Sequence, residues 1–147
     1  MGLVELRPFK AIGFEIKVLA NLIKRKLDEG TLADAGITGM QGWIIGYVKS
    51  VGERPVFQRD LEKAFNIRRA TVTGVLQLME RNRLIIRESV DFDARLKKIT
   101  LTPKAITLLE GNIRRFNDLE IVLRQRLSEE EVEAFFTITE KLRKNLE

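Results

Sequence analysis

The chain contains no cysteine and no histidine among its 147 residues. Those two absences exclude disulfides, thiolate redox switches, Cys/His zinc sites and Ser-His or Cys-His catalytic pairs. Most hydrolase and metalloenzyme chemistry is thereby ruled out, and no cofactor is expected. Long apolar runs are missing as well. Stretches such as Trp43-Ile44-Ile45 fall far short of the roughly 18 residues that span a bilayer. The start Met1-Gly2-Leu3-Val4-Glu5 lacks a signal-peptide layout, so a soluble, cytoplasmic protein with no membrane partner is expected. Internal repeats, low-complexity tracts and flexible linkers are absent, and the length corresponds to one unit at roughly 100–200 residues per domain.

What is present is charge, unevenly placed. The net formal charge is +5, but residues 1–53 carry +1, residues 54–104 carry +6 and residues 105–147 carry −2. A cationic block between nearly neutral flanks suits a module that meets phosphates. A solvated basic face would give the same count, so charge alone does not decide.

Hydrophobic spacing orders the elements. Phe9, Ile12, Ile16, Leu19, Ile23 and Leu27 recur every three or four residues and define a helical stripe, with Pro8 in its first turn. Gly30 to Gly39 reads as a loop. Thr38 and Gln41 have capping-box spacing and open a second helix that runs to about Val51, before Gly52. Gln58 to Phe65 forms a short helix closed by Asn66, and Arg69 to about Asn82 a further one. The period then shortens: Leu84 to Val90 and Lys98 to Thr102 are β-rich, and polar Asp91 to Lys97 suits a hairpin tip. Thr102-Pro103 starts a long helix carrying Ile106, Leu109, Ile113, Phe116, Leu123 and Leu127, and Ser128 with Glu131 caps a last one. The expected fold is mainly α with a small β-hairpin (α+β). Its amphipathic end helices have more apolar surface than one small core can cover, which favours a homodimer.

The segment from Gln58 to Leu76 has helix-turn-helix spacing. Leu61, Phe65, Ile67, Val72 and Leu76 form the wedge, Asn66 the turn, and Arg68, Arg69, Thr71, Thr73 and Gln77 point outward. The start of such a helix fits the major groove, where Thr and Gln bond base edges and Arg bonds guanine or phosphate. Arg59 adds a cation on the preceding helix. An ordinary pair of packed helices is the alternative, disfavoured because the basic block and the hairpin coincide with the motif. Arg87, Arg95, Lys97 and Lys98 are expected around the hairpin tip, as a wing that lays cations on the backbone. Arg95 is the residue expected to enter a narrow minor groove, aimed by a carboxylate–guanidinium contact from Asp93. Asp91 and Asp93 suit turn formation and charge pairing better than a magnesium site.

These residues together resemble the MarR family of winged helix-turn-helix transcription regulators along nearly the whole chain. The carriers are Asp60-Leu61-Glu62, Thr71-Val72-Thr73, Leu78-Met79-Glu80-Arg81, and Asp91-Phe92-Asp93-Ala94-Arg95 leading into Ile99-Thr100-Leu101-Thr102. The resemblance implies one MarR-like chain, 1–147, with a DNA-binding lobe at 38–102 and a helical dimerisation region at 7–29 and 103–147. It implies a dimer on a pseudo-palindromic operator, commonly a repressor of neighbouring genes released by a small aromatic ligand. Arg68 stands where the family often has a Ser cap, Gly74 replaces a frequent Arg, and Arg83 a frequent Gly. The effector cleft implied by the resemblance would gather Phe14, Met40, Trp43 and Tyr47, with Arg115 or Arg7 as counter-ion; plain core packing explains the same residues. A module that binds RNA or an acidic protein is the alternative to a sequence-specific DNA regulator, and an enzyme built on Asp/Glu pairs has no supporting motif.

Overall fold

The computed structural model describes residues 10–29 and 37–147. Pro8 and Phe9, Arg7 and the glycine-bounded loop before Ile37 lie partly or wholly outside the described residues. The elements are α1 (Ile12–Asp28), α2 (Gly39–Ser50), α3 (Gln58–Phe65), α4 (Arg69–Arg81), β1 (Ile85–Val90), β2 (Asp93–Leu101), α5 (Pro103–Arg124) and α6 (Glu129–Leu146). This is the mainly helical, hairpin-bearing architecture expected from the sequence. Contacts divide the chain into two compact units, one up to Ile113 and one from Arg114 to Glu147.

Local chemistry sets the boundaries. The Thr38 hydroxyl accepts from the Gln41 N–H while the Thr38 N–H donates to Gln41 Oε1, both at 3.3 Å, completing the box that starts α2. Ser128 and Glu131 repeat the exchange at α6. The α3 start uses a different device, in which Asp60 Oδ2 accepts from the Phe57 N–H at 2.8 Å. Asn66 closes α3 in the left-handed region at φ 50°.

In the first unit the core gathers Ile44, Ile45 and Val48 of α2, Leu61 of α3, Val72, Leu76 and Met79 of α4, and Leu84, Ile85 and Ile99 of the hairpin. Alternate and i, i+3, i+4 spacing puts these on the inner face of their own elements, except Leu84, which is buried just before β1 begins. Val56 forms an isolated antiparallel bridge to Ile99, whose N–H donates to the Val56 carbonyl at 2.8 Å. That single bridge fastens β2 to the residues that introduce α3, so hairpin and helix-turn-helix share one core. In the second unit α6 buries no residue, and Phe135 packs edge to face on the equally exposed Phe136.

The hairpin differs from its expectation. β1 and β2 are joined by the two-residue turn Asp91-Phe92, and β2 begins at Asp93, so the tip does not extend to Lys97. Ser89 pairs with Lys97 but Val90 pairs with Asp93, which leaves Ala94, Arg95 and Leu96 in a bulge without partners on β1. The bulge lets a polar stretch that reads as loop run as strand, and it re-aims the side chains on it.

Candidate nucleic-acid interface

The α3–α4 pair and one face of the hairpin enclose an open groove of about 530 Å3. Arg59 of α3, Arg69 of α4, and Arg87, Arg95 and Lys97 of the hairpin line it, against one carboxylate, Glu62. Four of the five, Arg87 being paired with Glu80, face that single acid, and the excess of positive charge attracts an anionic backbone. The α3–α4 pair and the hairpin together supply these cations.

Each cation is placed by a different contact. The Arg59 guanidinium lies over the Phe57 ring, 5.3 Å from its centroid, which holds that head group against the start of α3. Arg87 Nε donates to Glu80 Oε2 at 3.1 Å, and its side chain is only 20% exposed. Arg87 is therefore a strut between β1 and α4 rather than a free cation at the tip. It stands opposite Ile99, toward the hairpin base, and Lys98 stands opposite Glu88. Strand alternation turns Lys98 to the side opposite Lys97, away from the groove. Arg95 is exposed on the bulge beside the turn. The expected Asp93 brace takes another form: Asp93 Oδ1 accepts from the Arg95 backbone N–H at 2.9 Å, and no ion pair joins the two side chains among the described residues. A carboxylate two residues from an N–H closes a local turn more readily than it meets a long guanidinium.

Along α4, Arg68 is the exposed N-cap residue and makes no side-chain cap bond, consistent with its replacing a serine. Arg69, Thr71 and Gln77 are exposed. Thr73 departs from its expected outward position. It is half-buried, and Gln58 Nε2 donates to its hydroxyl at 2.8 Å and contacts the Arg69 carbonyl oxygen at 3.4 Å. Gln58 and Glu80 were not singled out in the sequence, because their roles arise from partners 15 and 7 residues away.

The residues expected to hold an effector have mixed surroundings. Tyr47 packs edge to face on Phe65 at 5.8 Å, which ties α2 to α3 as core packing would. Phe14 and Met40 are half-buried, and Trp43 is 46% exposed. Arg115 belongs to the second unit and is half-buried on α5. Among the described residues no cluster of acids is placed to hold a metal, and no helix is long and apolar enough to cross a membrane.

Comparison with known proteins places this geometry. The MarR family model matches residues 35–96, the span that holds α2, the helix-turn-helix and most of the hairpin. No curated protein matches the chain. Among solved structures, the MepR–DNA complex of S. aureus is 30% identical, with 93% of this chain and 99% of that one covered at a TM-score of 0.85. MepR in its DNA-binding conformation gives 30%, 94% and 100% coverage and 0.84. The transcription regulator MarR from Oenococcus oeni PSU-1 gives 29%, 91% and 99% coverage and 0.80. The chain belongs to the MarR family. It has the winged-helix fold of that family of transcription regulators, with α4 in the position of the recognition helix and the β1–β2 hairpin as the wing. The MarR frame also accounts for Arg83, which takes φ 59° just after the recognition helix, where a glycine meets no steric penalty.

Proposed function

We propose that the protein binds double-stranded DNA as a homodimer, reads a pseudo-palindromic operator, and represses transcription of nearby genes. The observation that carries this reading is the groove in which Arg59, Arg69, Arg95 and Lys97 converge beside the exposed Thr71 and Gln77 of α4. Phosphate contacts from the groove would set position, and α4 side chains would meet base edges in the major groove. Arg95, lifted by the bulge, would reach the flanking minor groove, where negative potential is strongest over A/T-rich sequence. Two copies related by a two-fold axis would present recognition helices to half-sites about one helical turn apart. S. aureus MepR, with its DNA complex, supports this use of the shared fold.

Dimerisation is proposed from the uncovered apolar surface. Among the described residues Ile12, Ile16, Leu19 and Leu22 of α1, and Ile121, Phe135, Phe136 and Ile138 of α5 and α6, are each about half exposed or more. For the effector, an aromatic acid near the half-exposed Trp43 is the proposed ligand. Titration with such compounds should change Trp43 fluorescence and lower operator affinity; no change in either with any of them would dismiss ligand release.

The binding reading is tested by adding duplex DNA to the purified protein and recording affinity against salt concentration. The expected complex contains two chains of 16.9 kDa, and its affinity falls steeply as salt rises. Arg95→Ala should weaken it about tenfold with an unchanged melting temperature, since the side chain is exposed. A monomer that ignores DNA, or equal affinity for the Arg95→Ala variant, would refute the assignment.

A further inference from the structure

Arg87 and Glu80 join β1 to the last turn of α4, yet the hairpin is already fastened there by other means. The Ile99 N–H donates to the Val56 carbonyl at 2.8 Å and the Thr102 N–H to the Leu84 carbonyl at 3.1 Å, while Leu84, Ile85 and Ile99 are buried in the core. An ion pair whose carboxylate is 48% exposed adds little stability to that frame. What it does fix is the direction of a guanidinium. That group has five N–H donors in one plane. The Nε–H donates to Glu80 Oε2, and the four on the two Nη nitrogens make no hydrogen bond among the described residues. Neither Nη belongs to the buried polar atoms left without a partner, so both reach solvent, and the groove is the surface that Arg87 lines.

The place of this group decides what it meets. If α4 enters a major groove and the hairpin the flanking minor groove, one sugar-phosphate strand runs between the two elements. Arg87 spans that same interval, with its root on β1 opposite Ile99 and its Nε on the carboxylate of α4. We propose that Glu80 is a positioning residue for DNA binding, which holds Arg87 by Nε so that its Nη pair meets a backbone phosphate between the two grooves. The planar fork matches two phosphate oxygens, and a guanidinium already held in one orientation loses less rotamer freedom on binding. Glu80 touches no DNA in this role. Its negative charge opposes the phosphates, and its contribution is the orientation of the group that meets them. The inference rests on the DNA-binding reading above and adds to it the contact that links the two grooves.

The experiment compares Glu80→Gln with Glu80→Leu in the full-length protein, on the duplex that wild type enriches from a random pool. Both substitutions remove the same charge, and only glutamine keeps an oxygen that accepts from Arg87 Nε. With Arg87 in place, the glutamine variant should bind about three- to tenfold more tightly than the leucine variant, the worth of one ordered side chain. In an Arg87→Gln background the two should bind alike, because the coupling runs through that guanidinium. Melting temperatures recorded for each variant should not separate the pair, since Glu80 is half exposed. Single phosphates of the duplex are then replaced by neutral methylphosphonates. One replacement between the major-groove half-site and the flanking minor groove should weaken wild type and leave Arg87→Gln unchanged. Equal affinity of the two Glu80 variants with Arg87 present would overturn the inference. So would a difference that persists without Arg87, or methylphosphonates that affect wild type and Arg87→Gln alike at every position. A wild-type pool that stays random would instead overturn the DNA-binding reading itself, and the two failures are thereby told apart.

Discussion

At the scale of the residue, Gly74 is the least expected member of α4. It lies on the exposed face, and a Cβ built there would meet no atom within 4 Å. Nothing inside the chain requires a glycine, and a glycine inside a helix costs about 0.5–1 kcal/mol relative to alanine. Gly74→Ala should therefore raise the unfolding free energy by about that amount in a urea titration, and a loss of stability would show that α4 is not helical at this point. Arg83 and Thr73 mark what a sequence does and does not reveal at this scale. A departure from the family glycine at Arg83 is visible in the string, whereas the φ of 59° that explains the glycine is a property of the backbone. Thr73 falls on α4 by spacing alone, but the state of its hydroxyl depends on Gln58, fifteen residues earlier. Side-chain hydrogen bonds across that separation have no periodic signature.

At the scale of the element, the helices were legible because their ends are made by local chemistry. Thr38 with Gln41, Ser128 with Glu131, and Asn66 each act within a few residues of themselves. The hairpin was legible as a hairpin but not in its register. Asp91 to Lys97 is polar enough to read as loop, and only pairing with β1 shows that it is a two-residue turn followed by a bulge. That difference moved Arg87 and Lys98 away from the tip and left Arg95 beside it. Thr102 shows how one side chain joins elements. Its hydroxyl donates to the Arg83 carbonyl at 2.6 Å, just beyond the end of α4, and accepts from the Ala105 N–H at 3.2 Å at the start of α5. Thr102→Ala removes a helix cap and leaves that carbonyl without its bond, so a stability loss of about 1–2 kcal/mol is expected in chemical denaturation. A loss under a few tenths would mean that water replaces both contacts.

At the scale of the whole molecule, the balance of covered and uncovered apolar surface matters most. The first unit closes a core of its own around Ile44, Leu61, Leu76 and Met79, all at 0% exposure or, for Ile45 beside them, 2%. The end helices leave large apolar side chains half in water, and covering each is worth about 1 kcal/mol, half the value for full burial. A dozen such side chains from two protomers would offset an association cost of about 4–15 kcal/mol. Phe136→Glu places a charge in that surface, and sedimentation should show the mass falling toward the 16.9 kDa of one chain. An unchanged mass would put the dimer contact elsewhere. The order of motifs made the family visible in the sequence, because helix-turn-helix, wing and capped long helix are each local patterns. The groove they enclose was not visible, since Arg59, Arg69, Arg95 and Lys97 meet only after folding. This groove and α4 are proposed to read a DNA sequence in duplicate. Selection of duplex DNA from a random pool by the purified wild-type protein, with the mass of the complex recorded, tests it most directly. An enriched inverted repeat with half-sites about one helical turn apart, bound by two chains, is the predicted result. A pool that stays random while binding simply fades with salt would contradict it.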